Sequence, residues 1–423
     1  MKPGSIERTM EAVWHMESAK IIAKLARMLR EVGLAEEIAQ DAWLAALEQW
    51  THGGFPENPG AWLMATAKNR AIDQLRRRKL AERKSAVMTH DPDLLGGADA
   101  GAEDSEPIAD DLLRLIFIAC HPVLPMEGRV TLTLRLLGGL TPAEIARAFL
   151  TSESAIQQRI VRAKRTLGEA RVPFEVPGPG ERAARLAAVL EVIYLIFNEG
   201  YAATSGEDWM RPALCEEALR LGRILAEIDP TTPEVHGLVA LMELQASRTA
   251  ARVSASGEPI LLLKQNRALW DQLLVRRGLA ALTRAESFDG PLGPYALQGA
   301  IAACHARART ADETDWPRIV ALYDALAEVQ PSPIVTLNRA VAVSMAYGPA
   351  AALEIVDQLR SESRLRDYHL LPSVRGDLLE RLGRLAEARA EFSHAASLAN
   401  NARERKLLLE RMAACDLGAE RVN

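Results

Sequence analysis

The sequence contains no apolar run of the roughly 18 residues that a membrane-spanning helix requires. The first ten residues also lack the positively charged start and the apolar stretch of a signal peptide. Aromatic residues make up only 5% of the 423 residues, whereas apolar residues make up 48% and charged residues 25%. We therefore expect a cytoplasmic protein with no membrane partner, built from about two to four domains.

Cysteine is scarce as well, because the four cysteines lie far apart and form no C-x-x-C pair. This spacing argues against a disulfide framework and against a zinc ribbon. The neighbours Cys120-His121 and Cys304-His305 could be metal ligands, but adjacent residues on a helix point about 100° apart and rarely bind one ion. We expect no metal site and no cofactor.

The net charge of −5 hides an uneven distribution of charge along the chain. Eight basic residues and two acidic ones lie between Lys68 and Lys84, whereas eight acidic residues and no basic one lie between Asp91 and Asp111. A concentrated basic segment is typical of a surface that binds nucleic acid. The acidic segment, rich in Asp, Gly, Ala and Pro, predicts a flexible linker over residues 86–110.

Helical periodicity dominates the rest of the chain, and no stretch shows the alternation of a β-strand. We predict an all-α protein with two small helical domains over residues 1–85 and 111–172. A second linker, rich in proline and glycine, is predicted over residues 173–181, and a large helical extension over residues 182–423.

The extension contains a weak internal repeat. Leu225-Ala-Glu-Ile-Asp-Pro230 recurs 101 residues later as Leu326-Ala-Glu-Val-Gln-Pro331, close to three periods of about 34 residues. We predict a TPR-like helical domain whose final repeat is the clearest, and the alternative before Leu370 is a helical domain without repeats. The small and apolar residues that carry the pattern are Ala218, Gly222, Gly376, Leu379, Ala388, Phe392 and Ala395.

Residues 141–167 have the pattern of a helix-turn-helix. Thr141-Pro-Ala-Glu144 combines an N-cap threonine, a proline in the first turn and a capping-box glutamate. After a short turn, Ser152 can cap a second helix, whose amide and guanidinium side chains suit base edges and phosphates in the major groove. A basic amphipathic helix that only faces solvent is the alternative. The predicted apolar stripe of this second helix is Ile156, Ile160, Ala163 and Leu167.

A basic helix is predicted from Ala61 to about Arg78, where it presents cations to a phosphate backbone. Phe55 and Asn58 precede it in a loop rich in glycine and proline, and such side chains can stack on and hydrogen-bond an unpaired base. Tryptophan side chains could also stack on bases, but we prefer core packing for Trp62 because it lies beside the predicted apolar stripe. That stripe consists of Ala61, Ala65, Ile72 and Leu75.

Two parts of the chain resemble the conserved domains of extracytoplasmic-function (ECF) sigma factors of RNA polymerase. The segments 35–46 and 61–77, AEEIAQDAWLAA and AWLMATAKNRAIDQLRR, resemble the second domain of that family. The fourth domain is resembled by three segments: Leu124-Pro-x3-Arg129, LTPAEIA over residues 140–146 and AIQQRIVRAK over residues 155–164. Together they cover the first 170 or so residues in the family's order. The resemblance implies a sigma factor that binds core RNA polymerase and promoter DNA and is not an enzyme.

The resemblance also implies residue roles. Core polymerase would be contacted by Glu37, Gln40, Asp41 and Trp43. The −10 element would be contacted by Asn58, Lys68, Asn69, Arg70, Arg76, Arg77 and Arg78. The −35 element would be contacted by Ser152, Ser154, Gln157, Gln158, Arg159, Arg162 and Lys164. The family usually has threonine where Ala155 stands, and the two adjacent glutamines are atypical, so the promoter sequence does not transfer.

The C-terminal half is similar to the TPR-like extension of one sigma-factor subgroup, on the segments 194–201, 289–298 and 315–317. That subgroup often lacks an obvious anti-sigma partner, which implies that the extension is regulatory and has a protein partner of its own. Asn198 and Glu199 could form a catalytic pair, but no nucleophile, base and orienting group occur together. We therefore expect Asn198, Glu199 and Tyr201 to cap a helix end and to pack between domains.

Two other classes of protein remain as alternatives. A helix-turn-helix regulator with a TPR-like sensor domain would bind DNA without polymerase, but it leaves residues 35–78 unexplained. An enzyme in the C-terminal half would need a convergent polar pocket around Asn198, Glu199, Asp289 or His305.

Overall fold

The structure, a computed structural model, describes residues 3–89, 108–149, 151–203, 209–254 and 258–420. Within these ranges the chain is helical and has no β-strand, and Val253 and Pro259 form an isolated bridge, which confirms the all-α prediction. No helix in the described ranges combines the length and the apolar character needed to cross a membrane. The chain divides into two compact units, residues 1–193 and 194–423.

The first three helices pack together through small side chains. They are α1 (Pro3–Leu29), α2 (Val32–Gly53) and α3 (Pro59–Thr89). On α2 the fully buried residues Ala35, Ala39, Ala42 and Ala46 follow the spacing of one helix face, so α1 and α3 can approach closely. Alanine thus supplies much of the core in this part of the protein.

The buried face of α3 differs from the predicted one. Leu63, Ala67 and Ala71 are fully buried, whereas Ala61 and Ala65 of the predicted stripe are exposed. Ile72 and Leu75, its other two members, are only half-buried. The prediction was wrong because α3 carries alanine on several faces, and the periodicity of such small residues does not identify a single buried stripe.

Four short helices follow, and they form the helix-turn-helix region. These are α4 (Ile108–Ala119), α5 (Met126–Leu136), α6 (Pro142–Ala148) and α7 (Glu153–Glu169). Leu115 of α4, Leu132 of α5 and Ile145 of α6 are fully buried, and α7 packs on both α5 and α6. The core of this region therefore holds α7 by one face.

Helices extend into both predicted linkers. Helix α3 continues to Thr89 and α4 begins at Ile108, and residues 90–107 of the first predicted linker lie outside the described residues. Helix α8 (Pro179–Tyr201) begins within the second predicted linker. Arg185 of α8 donates a hydrogen bond to the Phe117 carbonyl of α4 at 2.8 Å, which attaches the start of α8 to the helix-turn-helix region.

The second unit contains the end of α8 and ten further α-helices among the described residues. In its second half, α12 to α18 each pack on the next helix in the chain. The helices are α9 (Pro212–Ile228), α10 (Pro233–Ala246), α11 (Gln272–Glu286), α12 (Pro294–Arg307), α13 (Trp316–Val329), α14 (Pro333–Tyr347), α15 (Pro349–Leu359), α16 (Leu370–Arg381), α17 (Leu385–Leu398) and α18 (Ala402–Glu420).

The residues of the predicted repeat occupy equivalent places in this unit. The recurring hexapeptide ends both α9 and α13, and in each copy the leucine is buried and its carbonyl accepts the helix-ending hydrogen bond at 2.8 Å. In the final repeat, a Cβ added at Gly376 of α16 would lie 2.8 Å from the Phe392 ring of α17. Only glycine allows these two helices to approach so closely. This spacing agrees with a TPR-like arrangement, which stays a prediction.

Candidate nucleic-acid interface

The helix-turn-helix begins with a complete capping box at α6. The Thr141 hydroxyl accepts a hydrogen bond from the Glu144 backbone N–H at 3.2 Å, and the Thr141 backbone N–H donates to the Glu144 carboxylate at 2.7 Å. Burial of Glu144 acts to raise its pKa. The hydrogen bonds that its carboxylate accepts from the Thr141 backbone N–H and hydroxyl, together with the nearby His15 and Arg147, outweigh burial and hold the pKa below its usual value. The carboxylate therefore stays charged and fixes the start of α6, as predicted.

Helix α7 has the predicted cap and the predicted stripe. The Ser152 hydroxyl accepts a hydrogen bond from the Ala155 backbone N–H at 3.2 Å. Ile156, Ile160, Ala163 and Leu167 are all buried against α5 and α6. Because one face of α7 is packed, the opposite face has a fixed orientation towards solvent.

That solvent face of α7, which we call the recognition face, carries most of the predicted −35 contacts. Ser154, Gln157, Gln158 and Arg162 are exposed, and Gln157 donates a hydrogen bond to Glu153 one turn earlier. Sequence reasoning missed Val161, whose side chain is 64% exposed in the middle of this polar face. An exposed apolar side chain at such a place can contact the methyl group of thymine. The sequence does contain a signal of this exposed position, because Val161 is a single valine among glutamines and arginines.

Two predicted −35 contacts lie away from the recognition face. Arg159 is half-buried. Lys164 points towards α2, where its ammonium group forms an ion pair with Glu36, and its side chain is 21% exposed. Arg165, which lies one residue further along α7, is exposed and pairs only loosely with Glu169 at 3.6 Å.

The predicted −10 contacts lie along α3 and at its start. The Asn58 side-chain oxygen accepts a hydrogen bond from the Ala61 backbone N–H at 3.0 Å, so this exposed residue caps α3. Lys68 is half-buried, whereas Asn69, Arg70 and the run from Arg76 to Lys79 are exposed. Arg70 lies 3.9 Å from Asp41, Arg76 lies 3.6 Å from Asp73, and Arg78 lies 2.9 Å from Glu31. Such exposed ion pairs are weak and can exchange for phosphate contacts.

The aromatic residues of this region form a cluster. Trp50 is buried at its centre, 5.2 Å from Phe55 and 5.4 Å from Trp62 between ring centroids. Trp43 lies 6.5 Å from Trp50 and 5.2 Å from Trp14. The prediction that Trp62 packs internally is confirmed, and Phe55 packs in the same cluster.

The predicted polymerase contacts lie on α2. Glu37 and Asp41 are exposed, and Trp43 is half-buried in the aromatic cluster. Gln40 is half-buried and donates a hydrogen bond to Glu36. Glu36 itself, which sequence reasoning missed, is 2% exposed and ion-paired to Arg135 of α5 as well as to Lys164 of α7. Glu36 is one of three glutamates on α2, and nothing in the sequence of this helix distinguishes it from the other two.

The residues of the extension that could suggest an enzyme serve structural contacts instead. Glu199 forms an ion pair with Arg211, and the Arg252 guanidinium lies 3.5 Å from the centre of the Tyr201 ring and donates to the Tyr201 carbonyl. Asn198 is exposed, and its carbonyl accepts a hydrogen bond from Ala202 at the end of α8. These contacts hold the end of α8 and lie inside the second unit, and the predicted packing between domains stays a prediction.

His305 is a buried neutral base in the same unit. Burial, followed by the charges of Arg248 and Arg267, lowers its pKa to about 4. Its ring packs edge-on against Trp316 at 5.2 Å between centroids. No group of three or more metal-binding side chains that could hold an ion occurs in the described ranges.

Three known family models match this chain, and two of them cover the helices that carry the predicted DNA contacts. The family model for Sigma-70 region 2 matches residues 15–80, which cover most of α1–α3. The model for Sigma-70 region 4 matches residues 114–167, which contain the helix-turn-helix. A further match, to a family of unknown function (DUF6596), covers residues 185–286. The fold and the two matched regions define a sigma factor, a class that directs transcription initiation and is not enzymatic.

The relatives narrow the class to a family. The ECF RNA polymerase sigma factor SigK of Mycobacterium ulcerans (strain Agy99) is 30% identical over 153 residues, which are 35% of this chain and 78% of that protein. SigK of Mycolicibacterium vanbaalenii is 26% identical over 157 residues, 35% of this chain and 74% of that protein. The chain belongs to the family of ECF RNA polymerase sigma factors, and it carries a C-terminal extension.

The extension occurs in another protein as well. An uncharacterized protein of Rhizobium meliloti (strain 1021) is 45% identical over 386 residues, 90% of this chain and 89% of that protein. No solved structure matches the chain. Because region 2 accounts for α1–α3, the alternative of a helix-turn-helix regulator that works without polymerase is set aside.

Proposed function

We propose that this sigma factor recognises the −35 element with the recognition face of α7 and the −10 element with α3 and its preceding loop. The observation that carries the proposal is the geometry of α7, where a buried aliphatic stripe holds Gln157, Gln158 and Arg162 outwards on one face. Glutamine can hydrogen-bond adenine edges, and arginine can bind guanine or phosphate. Val161 adds an apolar contact on the same face.

Core RNA polymerase docks on the exposed side of α2 in this proposal. Glu37 and Asp41 are exposed acidic residues one helical turn apart, a spacing that places both on the same side of the helix. The basic side chains of α3 lie nearby, as the 3.9 Å contact between Arg70 and Asp41 shows. Docking and −10 recognition therefore use neighbouring helices.

The extension, in our proposal, modulates the activity of the two sigma regions and binds a protein partner. The extension is larger than both sigma regions together. Within it, Glu199 contacts Arg211 and Tyr201 contacts Arg252. Solenoid-like helical domains of this kind bind proteins along their exposed surfaces.

Run-off transcription with purified core polymerase on a promoter library tests the assignment of base and phosphate contacts. Gln158→Ala should cost about 1–3 kcal/mol at one base position and relax specificity there, because a bidentate base contact is lost. Arg77→Ala should weaken binding similarly on all sequences and reduce its salt dependence, because a phosphate contact is lost.

Arg277→Ala is the matched control, because Arg277 is an exposed arginine of α11 outside both proposed surfaces. It should leave the selected sequences and the salt dependence unchanged. If Gln158→Ala selected the same promoters as the unaltered protein, with the same relative yields, α7 would not be the reader of the −35 element.

A further inference from the structure

Three arginines of the extension lie beside one another around two aromatic rings. The guanidinium groups of Arg252 and Arg248 lie 3.5 Å and 5.7 Å from the centre of the Tyr201 ring. Arg248 also lies 5.8 Å from the centre of the Trp270 ring, and Arg267 lies 4.9 Å from that centre. Arg248 is therefore the middle member of a row of three cations, which we call the arginine row. None of the three forms an ion pair with a carboxylate in the described ranges.

The arginine row donates its hydrogen bonds to neutral acceptors in the described part of the chain. Arg252 is only 7% exposed, and a guanidinium at this depth normally pairs with a carboxylate, because removing an unpaired charge from water is costly. Neutral acceptors leave the three positive charges without a counter-charge. These acceptors are the Tyr201 hydroxyl and carbonyl, the Gln245 side chain, the His305 and Ala308 carbonyls and the Thr314 hydroxyl.

The electrostatic cost of this arrangement appears at the two ends of the row. Burial is the largest cause that lowers the pKa of Arg252 and of Arg267, and the charge of Arg248 acts in the same direction on both. Glu404 and Glu313 act against this effect from beyond ion-pair distance, and they do not outweigh it. An anion held at Arg248 would reduce the repulsion along the row, because like charges repel less when a counter-charge lies between them.

Two further polar groups beside Arg248 and Arg267 lack a partner among the described residues. The indole N–H of Trp270 is buried without an acceptor, and Trp270 is only 5% exposed. The Nδ1 atom of His305, which can carry the proton of a neutral ring, is buried without a hydrogen bond as well. Buried polar groups almost always bind protein, water or a ligand. An oxyanion at this end of the row would supply the missing acceptors.

The charge and the depth of the site indicate which anion it suits. Arg248 makes both of its described hydrogen bonds through one terminal nitrogen, Nη2, which leaves Nη1 and Nε for a ligand. Guanidinium groups bind phosphate and carboxylate through such paired donors. A phosphate dianion balances two of the three charges at a single centre, whereas a carboxylate balances one. The burial of Trp270 and Arg252 favours a small molecule over the backbone of a nucleic acid, whose phosphates contact exposed side chains.

We propose that the extension binds a phosphate group between Arg248 and Arg267. The group is either the free ion or the phosphate of a small metabolite. Trp270 and His305 line the site, and Arg252 adds a third positive charge. All of these residues except His305 lie within residues 185–286, which match the family of unknown function. The site needs neither DNA nor polymerase, so the proposal goes beyond the function proposed above and does not depend on it.

Titration calorimetry of the full-length protein with inorganic phosphate tests the site. We expect one saturable site with a Kd of about 1 mM or lower, because charge-assisted hydrogen bonds to a dianion supply binding of that order. Phenyl phosphate in the same assay distinguishes the two sources of the group. Tighter binding than that of inorganic phosphate supports a metabolite, and equal or weaker binding supports the free ion. Absence of saturable binding with both probes would overturn the proposal.

Arg248→Gln should weaken the binding of inorganic phosphate by about tenfold or more, because a charged donor to the ligand is lost. Arg339→Gln is the matched control, since Arg339 is another half-buried arginine of the second unit and pairs with Asp324. It should leave the Kd unchanged. Equal affinities of Arg248→Gln and the unaltered protein would overturn the proposal, because phosphate would then bind elsewhere on the protein.

Hydrogen exchange of the unaltered full-length protein gives a measurement that does not depend on the folding of a variant. Phosphate at about ten times its Kd should slow local exchange about tenfold in peptides over residues 246–252 and 266–271. Peptides of α14 should exchange at the same rate with and without phosphate. Unchanged exchange in the first two peptides would contradict the site. Protection of these peptides by duplex DNA instead of phosphate would also overturn it, in favour of a nucleic-acid contact.

Discussion

His305 should make the stability of the extension depend on pH, and His305→Phe should remove that dependence. The folded protein holds the pKa of His305 at about 4, against 6.5 for an ordinary histidine, because the ring is buried and lies near Arg248 and Arg267. Because the pKa of His305 is lower in the folded protein than in the unfolded chain, protonation of this histidine favours unfolding. The free energy of unfolding is therefore greatest above pH 6.5, and it decreases as the pH falls from 6.5 towards 4.

The size of the effect follows from the two pKa values. Their difference, at about 1.36 kcal/mol per pKa unit, corresponds to about 3 kcal/mol, most of which is lost between pH 8 and pH 4.5. Phenylalanine keeps the edge-on contact with Trp316 and does not titrate. The free energy of unfolding of His305→Phe should therefore fall by roughly 2 to 3 kcal/mol less than that of the unaltered protein over this range.

Hydrogen exchange of peptides from α12, measured in the full-length protein at increasing denaturant, reports this free energy for the second unit alone. His394→Phe, at an exposed histidine of α17, is the matched control and should behave like the unaltered protein. Equal losses of stability in His305→Phe and the unaltered protein would refute the reasoning that His305 is buried as the neutral base.

Two further predictions concern the sigma regions. Thr141→Ala should lower the stability of region 4 by about 1 kcal/mol, because the capping box at α6 loses its hydroxyl acceptor. Hydrogen exchange of peptides from α6 and α7 at increasing denaturant measures this loss. Thr151→Ala, which lies outside the cap, should have no such effect. Deletion of all residues after Ile193 keeps the contact between Arg185 and Phe117 and should change run-off transcription by core polymerase, and unchanged output would contradict a regulatory extension.

The helix-turn-helix could be predicted from the sequence residue by residue. Threonine, proline and glutamate at fixed spacing determine where α6 begins, and the large aliphatic residues of α7 leave one choice of buried face. These signals are local, so they do not depend on the rest of the fold. The predicted caps at Thr141 and Ser152 are both confirmed.

The same reasoning failed where side chains are small or contacts are distant. Helix α3 has alanine on several faces, so its buried side was assigned to Ala61 and Ala65 instead of Ala67 and Ala71. The inward orientation of Lys164 depends on Glu36, which lies 128 positions earlier in the chain. No periodicity within α7 could indicate such a partner. The start of α8 was missed because Pro179 and Gly180 were interpreted as linker, although proline is favourable in the first turn of a helix.

The distribution of tryptophan gives the protein a natural optical signal. Four of its seven tryptophans, at positions 14, 43, 50 and 62, belong to the aromatic cluster of region 2, and their rings lie within 5.2–6.5 Å of one another along the series. Excitation energy can pass between rings at such distances, so emission from this cluster should collect on its lowest-energy member. Because Trp43 lies on the predicted docking helix, arrival of polymerase would be visible in the emission of a protein that carries no dye.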